Sequence, residues 1–193
     1  CRGRIFDAVE QDNGQYDSIA DLFWATGAAL MIRSDDYWSA GGLDGTFFAH
    51  MEEIDLCWRI WNASKWNQES EIGCIMSLPQ AVIYHVGGGT LGYENPRKTF
   101  LNFRNNLLML RKNLPASRLW WVMLIRFFMD YAAALQMLLT KQIPNAKAVF
   151  QARWAYHKMK KQYPISQYQL QIANNLLCKR SIVFDFYIRK QKK

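Results

Sequence analysis

The stretch FFAHMEEIDLCWR, residues 47–59, places three carboxylates among residues that are mostly aromatic, aliphatic or sulfur-bearing; they are Glu52, Glu53 and Asp55. Burying an ionised carboxylate without a partner costs free energy, so the pattern has two interpretations. In the first, the carboxylates occupy the N-terminus of an amphipathic helix and oppose its dipole. In the second, they line a cleft and take part in chemistry.

The residues after Met51 predict a helix whose apolar face consists of Ile54, Cys57, Trp58 and Trp61. Asp55 and Arg59 are four residues apart and are expected to form an ion pair. Glu53 lies roughly 100° around the helix from Glu52, and no cation follows it at the fourth position. If one carboxylate is free to remove a proton from a substrate hydroxyl, this geometry favours Glu53, and the positive end of the helix keeps it ionised.

The segments on either side of this helix predict strands. FWATGAALMIR, residues 23–33, reads as a buried strand from Ala25 to Ile32. EIGCIMSLP and QAVIYH, residues 71–85, read as two further short strands that end at His85, before a glycine triplet at 87–89. Strands around a helix, followed by a glycine loop, are typical of the edge of an α/β sheet, so the predicted fold class is α/β.

The chain changes character near residue 100. Residues 1–99 hold 7 Lys/Arg and 14 Asp/Glu, a net charge of −7, whereas residues 100–193 hold 17 Lys/Arg and 2 Asp/Glu, a net charge of +15. The second part also contains three stretches with helical periodicity, at 98–115, 118–141 and 147–164. We therefore predict two regions, 1–99 and 100–193, of which the basic one faces an anionic partner.

The apolar run 119–139 bears on the identity of that partner. It is long enough to cross a bilayer at about 20 residues, but Arg126 and Asp130 near its centre are costly in hydrocarbon. The sequence therefore favours a helix in the membrane interface or a hairpin dipping into one leaflet, with basic flanks on anionic headgroups. The alternative is a buried core helix. Nucleic-acid binding is not favoured, because the aromatic pairs 120–121 and 127–128 lie in continuous apolar sequence.

The cysteines and the first residue add two expectations. Four cysteines are scattered without a C-x-x-C pair, which argues against a zinc site or a disulfide framework and fits a reducing compartment; they are Cys1, Cys57, Cys74 and Cys178. Because the chain begins with Cys1 instead of Met, we expect that a preceding part of the protein is missing.

Four motifs occur in the order WATGAALMIR, GGLDGTFFAHMEEIDLCWR, LPQAVIYHVGGGT and PRKTFLNFRNNLLMLRKNLP. Over about residues 20–115, this order resembles the second half of a family 2 glycosyltransferase, most closely the rhamnosyltransferase-like bacterial enzymes that build surface polysaccharides. The resemblance implies a GT-A fold and inverting transfer of a hexosyl or rhamnosyl group from a nucleotide-sugar donor to a glycan or lipid-linked acceptor. It also implies a divalent metal, Mg²⁺ or Mn²⁺, and a peripheral or monotopic location at the cytoplasmic face of the inner membrane.

The resemblance assigns roles to individual residues. The family's Glu-Asp-x-Asp motif corresponds here to Glu52-Glu53-Ile54-Asp55, so Glu53 takes the position of the catalytic base, with Glu52 and Asp55 beside it. The remaining positions implied by the family are Trp24 and Gly27 for the acceptor, Arg97 and Arg104 for the donor diphosphate, and His85 for the metal.

One departure from the family is large. No Asp-x-Asp that ends a hydrophobic strand precedes Trp24, so the donor-binding half is expected upstream and this chain by itself is expected to be inactive. The rival interpretation is a non-catalytic membrane-peripheral module, and a nucleic-acid-binding domain is the less favoured third.

Overall fold

The computed structural model describes residues 4–5, 8–9, 11–63, 75–85 and 95–165. Within these ranges the chain is all-α. Its helices are α1 (Ser34–Ser39), α2 (Glu52–Ala63), α3 (Pro96–Asn113), α4 (Ala116–Leu139) and α5 (Ile143–Met159). Two 3₁₀ turns, Gly27–Ala29 and Lys160–Gln162, accompany them, and a two-residue antiparallel pair joins β1 (Arg4–Ile5) to β2 (Ala8–Val9).

The α/β prediction is therefore wrong for the described part of the chain. The segment predicted as a strand from Ala25 to Ile32 is extended chain interrupted by the 3₁₀ turn Gly27–Ala29. It lies along α2: the Trp61 indole donates to the carbonyl of Phe23 at 3.0 Å, and a Cβ on Gly27 would lie 3.9 Å from that of Glu53. Within the described ranges this segment pairs with no strand. Phe23 and Gly27 lie next to α2, whereas Ala28, Ala29 and Met31 are exposed, so the predicted burial of this segment is wrong as well.

The two strands predicted within 71–85 are also wrong where the structure describes them. The chain from Ile75 to His85 makes one isolated bridge, between Asp21 and Met76. That bridge is supported by bonds from Leu22 N to the Ile75 carbonyl and from Ser77 N to the Ala20 carbonyl, both 2.8 Å. Residues 71–74 and the glycine triplet at 87–89 lie outside the described residues.

The helix predictions are confirmed, and the local sequence explains where the helices begin and end. The Asn95 side chain accepts the Arg97 N–H at the N-terminus of α3, and Pro96 occupies its first turn. Pro115 follows α3 and precedes α4, where its fixed φ suits the position before a helix. Lys141, with φ 62°, closes the turn into α5.

One hydrophobic core joins the acidic and basic parts of the chain. Trp58 and Trp61 of α2 pack with residues of α3, α4 and α5 and of the segments that directly follow α3 and α5; these are Leu107, Leu108, Met109, Leu114, Leu119, Tyr156 and Tyr163. A boundary between residues 99 and 100 would fall inside α3. The helix that carries the acidic cluster is therefore held in place by the helices of the basic part.

α4 buries charges and exposes apolar side chains. Asp130 is fully buried and pairs with Arg126, four residues before it, at 2.7 Å and with Arg153 of α5 at 2.6 Å. By length and composition α4 could cross a membrane, and only 11% of its most apolar window is buried. Its exposed side chains include Trp121, Ile125, Phe128, Leu135 and Leu139. Among the described residues, therefore, α4 contributes Leu119 to the core but leaves most of its apolar surface uncovered.

Candidate functional site

Asp55 is the most thoroughly paired carboxylate near the start of α2. It is fully buried, and its Oδ2 accepts from Arg59 Nε at 2.9 Å and from Lys112 Nζ at 3.0 Å. Its Oδ1 accepts from Asn113 Nδ2 at 2.7 Å. The expected pair of Asp55 with Arg59 is confirmed. Because both oxygens accept from α2 or α3 donors, Asp55 holds these helices together and offers no free position for a substrate proton.

The same two cations tie the preceding loop to the helices. Lys112 Nζ also donates a hydrogen bond to Asp44 Oδ2 at 3.0 Å, and the Arg59 guanidinium donates to the carbonyls of Ala40 and Gly42. These two donors therefore bring the loop around residues 40–44 against α2 and α3. Arg59 and Lys112 are thus both engaged by Asp55 and by the preceding loop.

Glu53 has a different environment, on the side of α2 that meets the Gly27 turn. Its side chain is partly buried, and Oε2 is enclosed without a hydrogen-bond partner among the described residues. Burial raises the pKa of Glu53; the backbone N–H groups of Glu53 and Ile54 oppose that shift, and the charge of Glu52 adds to it. Among the described residues, Glu53 is thus a partly buried carboxylate with no cationic partner, a state that suits a general base.

Two neighbours of Glu53 also carry enclosed atoms without partners in the described part of the chain. Glu52 Oε2 and His50 Nε2 are both buried and unbonded. Burial lowers the pKa of His50, the positive charge of Lys98 lowers it further, and Glu52 opposes both. Sequence reasoning did not select His50, although its position two residues before Glu52 in the same stretch was a usable signal.

The backbone before α2 is strained. Phe48, His50 and Met51 have φ values of 64°, 70° and 74°, in the left-handed region that residues other than glycine rarely adopt. Asn105 of α3 faces this loop, with Nδ2 within 2.9 Å of the carbonyls of Phe47, Ala49 and His50. Strain and unsatisfied polar atoms therefore meet in residues 48–53, a combination that is concentrated at functional sites.

The two arginines expected at the donor diphosphate lie beside this loop. Arg104 Nη2 donates to the Thr46 carbonyl at 2.7 Å and Nε to Asn105 Oδ1 at 2.9 Å, so its guanidinium is engaged in holding the loop. Arg97 is exposed, and its guanidinium lies 4.8 Å from the centre of the Phe48 ring. Of the two, Arg97 is the one accessible to an anion.

The structure brings Gly27 to Glu53, and Glu52 and Asp55 lie in the same first turn of α2. Trp24 is 42% exposed, on the segment that leads to Gly27. His85 is exposed, and within the described ranges no group of three or more His, Cys, Asp or Glu residues could hold a metal ion. The divalent metal that the resemblance implies, with His85 among its ligands, therefore stays a prediction.

No protein-family model, curated protein or solved structure matches this chain.

Replacing Asp55 with Asn should strongly destabilise the protein. Asp55→Asn leaves the partly buried cations Arg59 and Lys112 without their shared carboxylate, which costs about 3–5 kcal/mol of unfolding free energy. Asp36→Asn breaks the exposed pair of Asp36 with Arg33 and should cost less than about 1 kcal/mol. Urea denaturation of both variants measures the difference, and equal losses would contradict the structural role of Asp55.

Replacing Glu53 with Gln should remove a pH dependence from stability. Because the folded-state pKa of Glu53 is raised, the stability that this group contributes at low pH is lost as pH rises through that pKa. The Tm of Glu53→Gln relative to wild type should therefore increase between about pH 4 and about pH 8. Asp36→Asn corrects for the change in net charge, and a difference that is constant or falls with pH would contradict the burial of Glu53.

Proposed function

We propose that this chain contributes the general base and the acceptor side of an inverting glycosyltransferase. The observation that carries the proposal is the Glu53 carboxylate. It is partly desolvated and has no cationic partner in the described part of the chain, whereas Asp55, two residues on, is fully paired. The four ordered motifs that resemble family 2 glycosyltransferases give this carboxylate its role. The proposal concerns the reaction, and the donor-binding residues are expected elsewhere in the intact protein.

The proposed step begins with Glu53 accepting the proton of an acceptor hydroxyl. The hydroxyl oxygen then bonds to the anomeric carbon as the bond from that carbon to the donor diphosphate breaks, so the nucleoside diphosphate leaves with the electron pair and the configuration inverts. A base works best when its pKa approaches the working pH, and burial moves the pKa of Glu53 in that direction. The amides at the start of α2 limit the shift and so help to keep Glu53 ionised.

The backbone at Gly27 supports placing the acceptor on this side of α2. The Gly27 turn lies next to Glu53, so main chain without a side chain borders the carboxylate. A hydroxyl could approach Glu53 there without displacing a side chain of residue 27. A divalent metal held in part by His85, as the resemblance implies, would offset charge on the leaving diphosphate, and no step here depends on it.

We further propose that α4 and α5 attach the protein to an anionic membrane surface. α4 exposes a stripe of large apolar side chains, and α5 adds Ile143, Phe150 and Trp154, which are 63%, 48% and 63% exposed. The charged residues of α4 do not interrupt this stripe, because Asp130 pairs inward with Arg126 and Arg153. An interfacial helix with an apolar face and basic surroundings binds anionic lipid. Such attachment would suit a lipid-linked acceptor.

Glu53→Gln in the intact enzyme should lower turnover by roughly 10²–10⁴-fold, because the amide keeps the shape of the side chain but cannot take a proton. The dissociation constant of the donor should stay near the wild-type value, since Glu53 acts on the acceptor. Single-turnover kinetics and donor titration measure the two quantities. Wild-type turnover by the variant would remove Glu53 from the mechanism and would favour the rival non-catalytic module.

Phe128→Glu should weaken membrane attachment. Phe128 is 65% exposed on α4, so the change spares the core but places a charge in the apolar stripe; partitioning into phosphatidylglycerol vesicles should fall by at least about tenfold. Gln136→Glu adds the same charge at an exposed, already polar position of α4 and is the matched control.

Co-sedimentation with vesicles measures both variants. Deleting residues 116–193 is a poorer test, because it also removes Tyr156 and Tyr163 from the core. Equal binding by Phe128→Glu and Gln136→Glu would contradict attachment through this stripe. Binding of single-stranded oligonucleotide without binding of vesicles would favour the nucleic-acid interpretation.

A further inference from the structure

Asn105 lies in the middle of α3 and is fully buried. Asparagine is a weak helix former, so its position is explained by what its side chain touches and not by local propensity. Its Nδ2 lies 2.9 Å from the carbonyl oxygens of Phe47 and Ala49 and 2.8 Å from that of His50. An amide nitrogen carries two hydrogens, so three loop carbonyls share two donors.

Arg104 fixes the orientation of this amide. Arg104 Nε donates to Asn105 Oδ1 at 2.9 Å, which places the oxygen toward the guanidinium and the nitrogen toward the loop. The same guanidinium donates to the Thr46 carbonyl at 2.7 Å. Arg104 and Asn105, adjacent residues of α3, therefore hold the loop from Thr46 to His50 by hydrogen bonds to its main-chain carbonyls.

The loop from Thr46 to His50 leads through Met51 directly into α2. Phe48, His50 and Met51 all have positive φ, and such residues persist only where the surroundings over-determine them. Met51 is the last of them, and its carbonyl already accepts the Asp55 N–H at 2.8 Å. The conformation of the loop therefore sets where the first turn of α2 begins.

We infer that Asn105 is a positioning residue for the Glu53 carboxylate, which it places by holding the left-handed loop 47–51 ahead of α2. This inference rests on the proposed function for its catalytic consequence, but its structural consequence can be measured without it. Asn105 is neutral and buried, and both its hydrogens face loop carbonyls. It therefore acts on a substrate only through the loop and α2.

The first test is kinetic and uses the intact enzyme. Asn105→Ala should lower kcat by roughly ten- to a hundredfold while KM for the acceptor changes less than about twofold, because a misplaced base slows the step more than it weakens binding. The acid limb of the pH profile should move to lower pH, since a loosened helix start exposes Glu53 to water. Asn102→Ala, one turn earlier on the same helix, should leave kcat and the profile unchanged.

The second test needs no transfer reaction. The Tm of Glu53→Gln minus the Tm of wild type should depend on pH. The Tm of the double variant Glu53→Gln, Asn105→Ala minus the Tm of Asn105→Ala should not, because Glu53 is no longer held in its desolvated position. A merely structural Asn105 would lower both melting temperatures equally and leave the dependence intact. If Asn105→Ala does not fold, Asn105→Ser, whose hydroxyl keeps one donor, is measured in the same way.

The outcomes separate the inference from the proposed function. Loss of the pH-dependent difference, with or without detectable transfer, supports the positioning role; if the intact wild-type protein shows no transfer, only the proposed reaction fails. A pH-dependent difference that persists in the Asn105→Ala background, or an unchanged pH profile with unchanged kcat, overturns the inference.

Discussion

The rest of this structure depends on the buried carboxylate of Asp55. It accepts from Arg59 in its own helix and from Lys112 and Asn113 in α3, and Lys112 and Arg59 extend the contact to the loop at Ala40, Gly42 and Asp44. A buried charge is tolerated only when it is paired and hydrogen-bonded, so Arg59, Lys112 and Asn113 must stay within hydrogen-bonding distance of Asp55. α2, α3 and the preceding loop are thereby locked in one arrangement.

That arrangement explains how two acidic residues of one short stretch have different roles. Arg59 and Lys112 are used on the Asp55 side, and Glu53 faces the Gly27 turn with no cationic partner among the described residues. The loop ahead of α2 is held in left-handed backbone by Asn105, and Glu52, Glu53 and His50 retain enclosed atoms without partners in the described chain. A stable fold gains nothing from these features, which is the physical reason for placing the reaction there.

The sequence predicts the helices and the local pairs because both follow from spacing along one helix. The period of Cys57, Trp58 and Trp61, the Asp55–Arg59 pair and the absence of a cation four residues after Glu53 are all of this kind. It does not predict that residues 25–32 lie along α2, since an apolar run with small residues satisfies a strand pattern equally well. Nor does it predict the contacts of Lys112 with Asp55 or of Asn105 with His50, which join positions more than fifty residues apart.

Glu53 is partly desolvated and has no cationic partner in the described part of the chain, and its own titration shows directly whether this holds in solution. Carboxyl ¹³C NMR of protein labelled at glutamate, with Glu53→Gln assigning the resonance, gives the pKa of this group in the folded chain. The structure predicts a pKa raised above the usual value for glutamate, because burial outweighs the amides at the start of α2. A titration at or below the usual value would contradict the account.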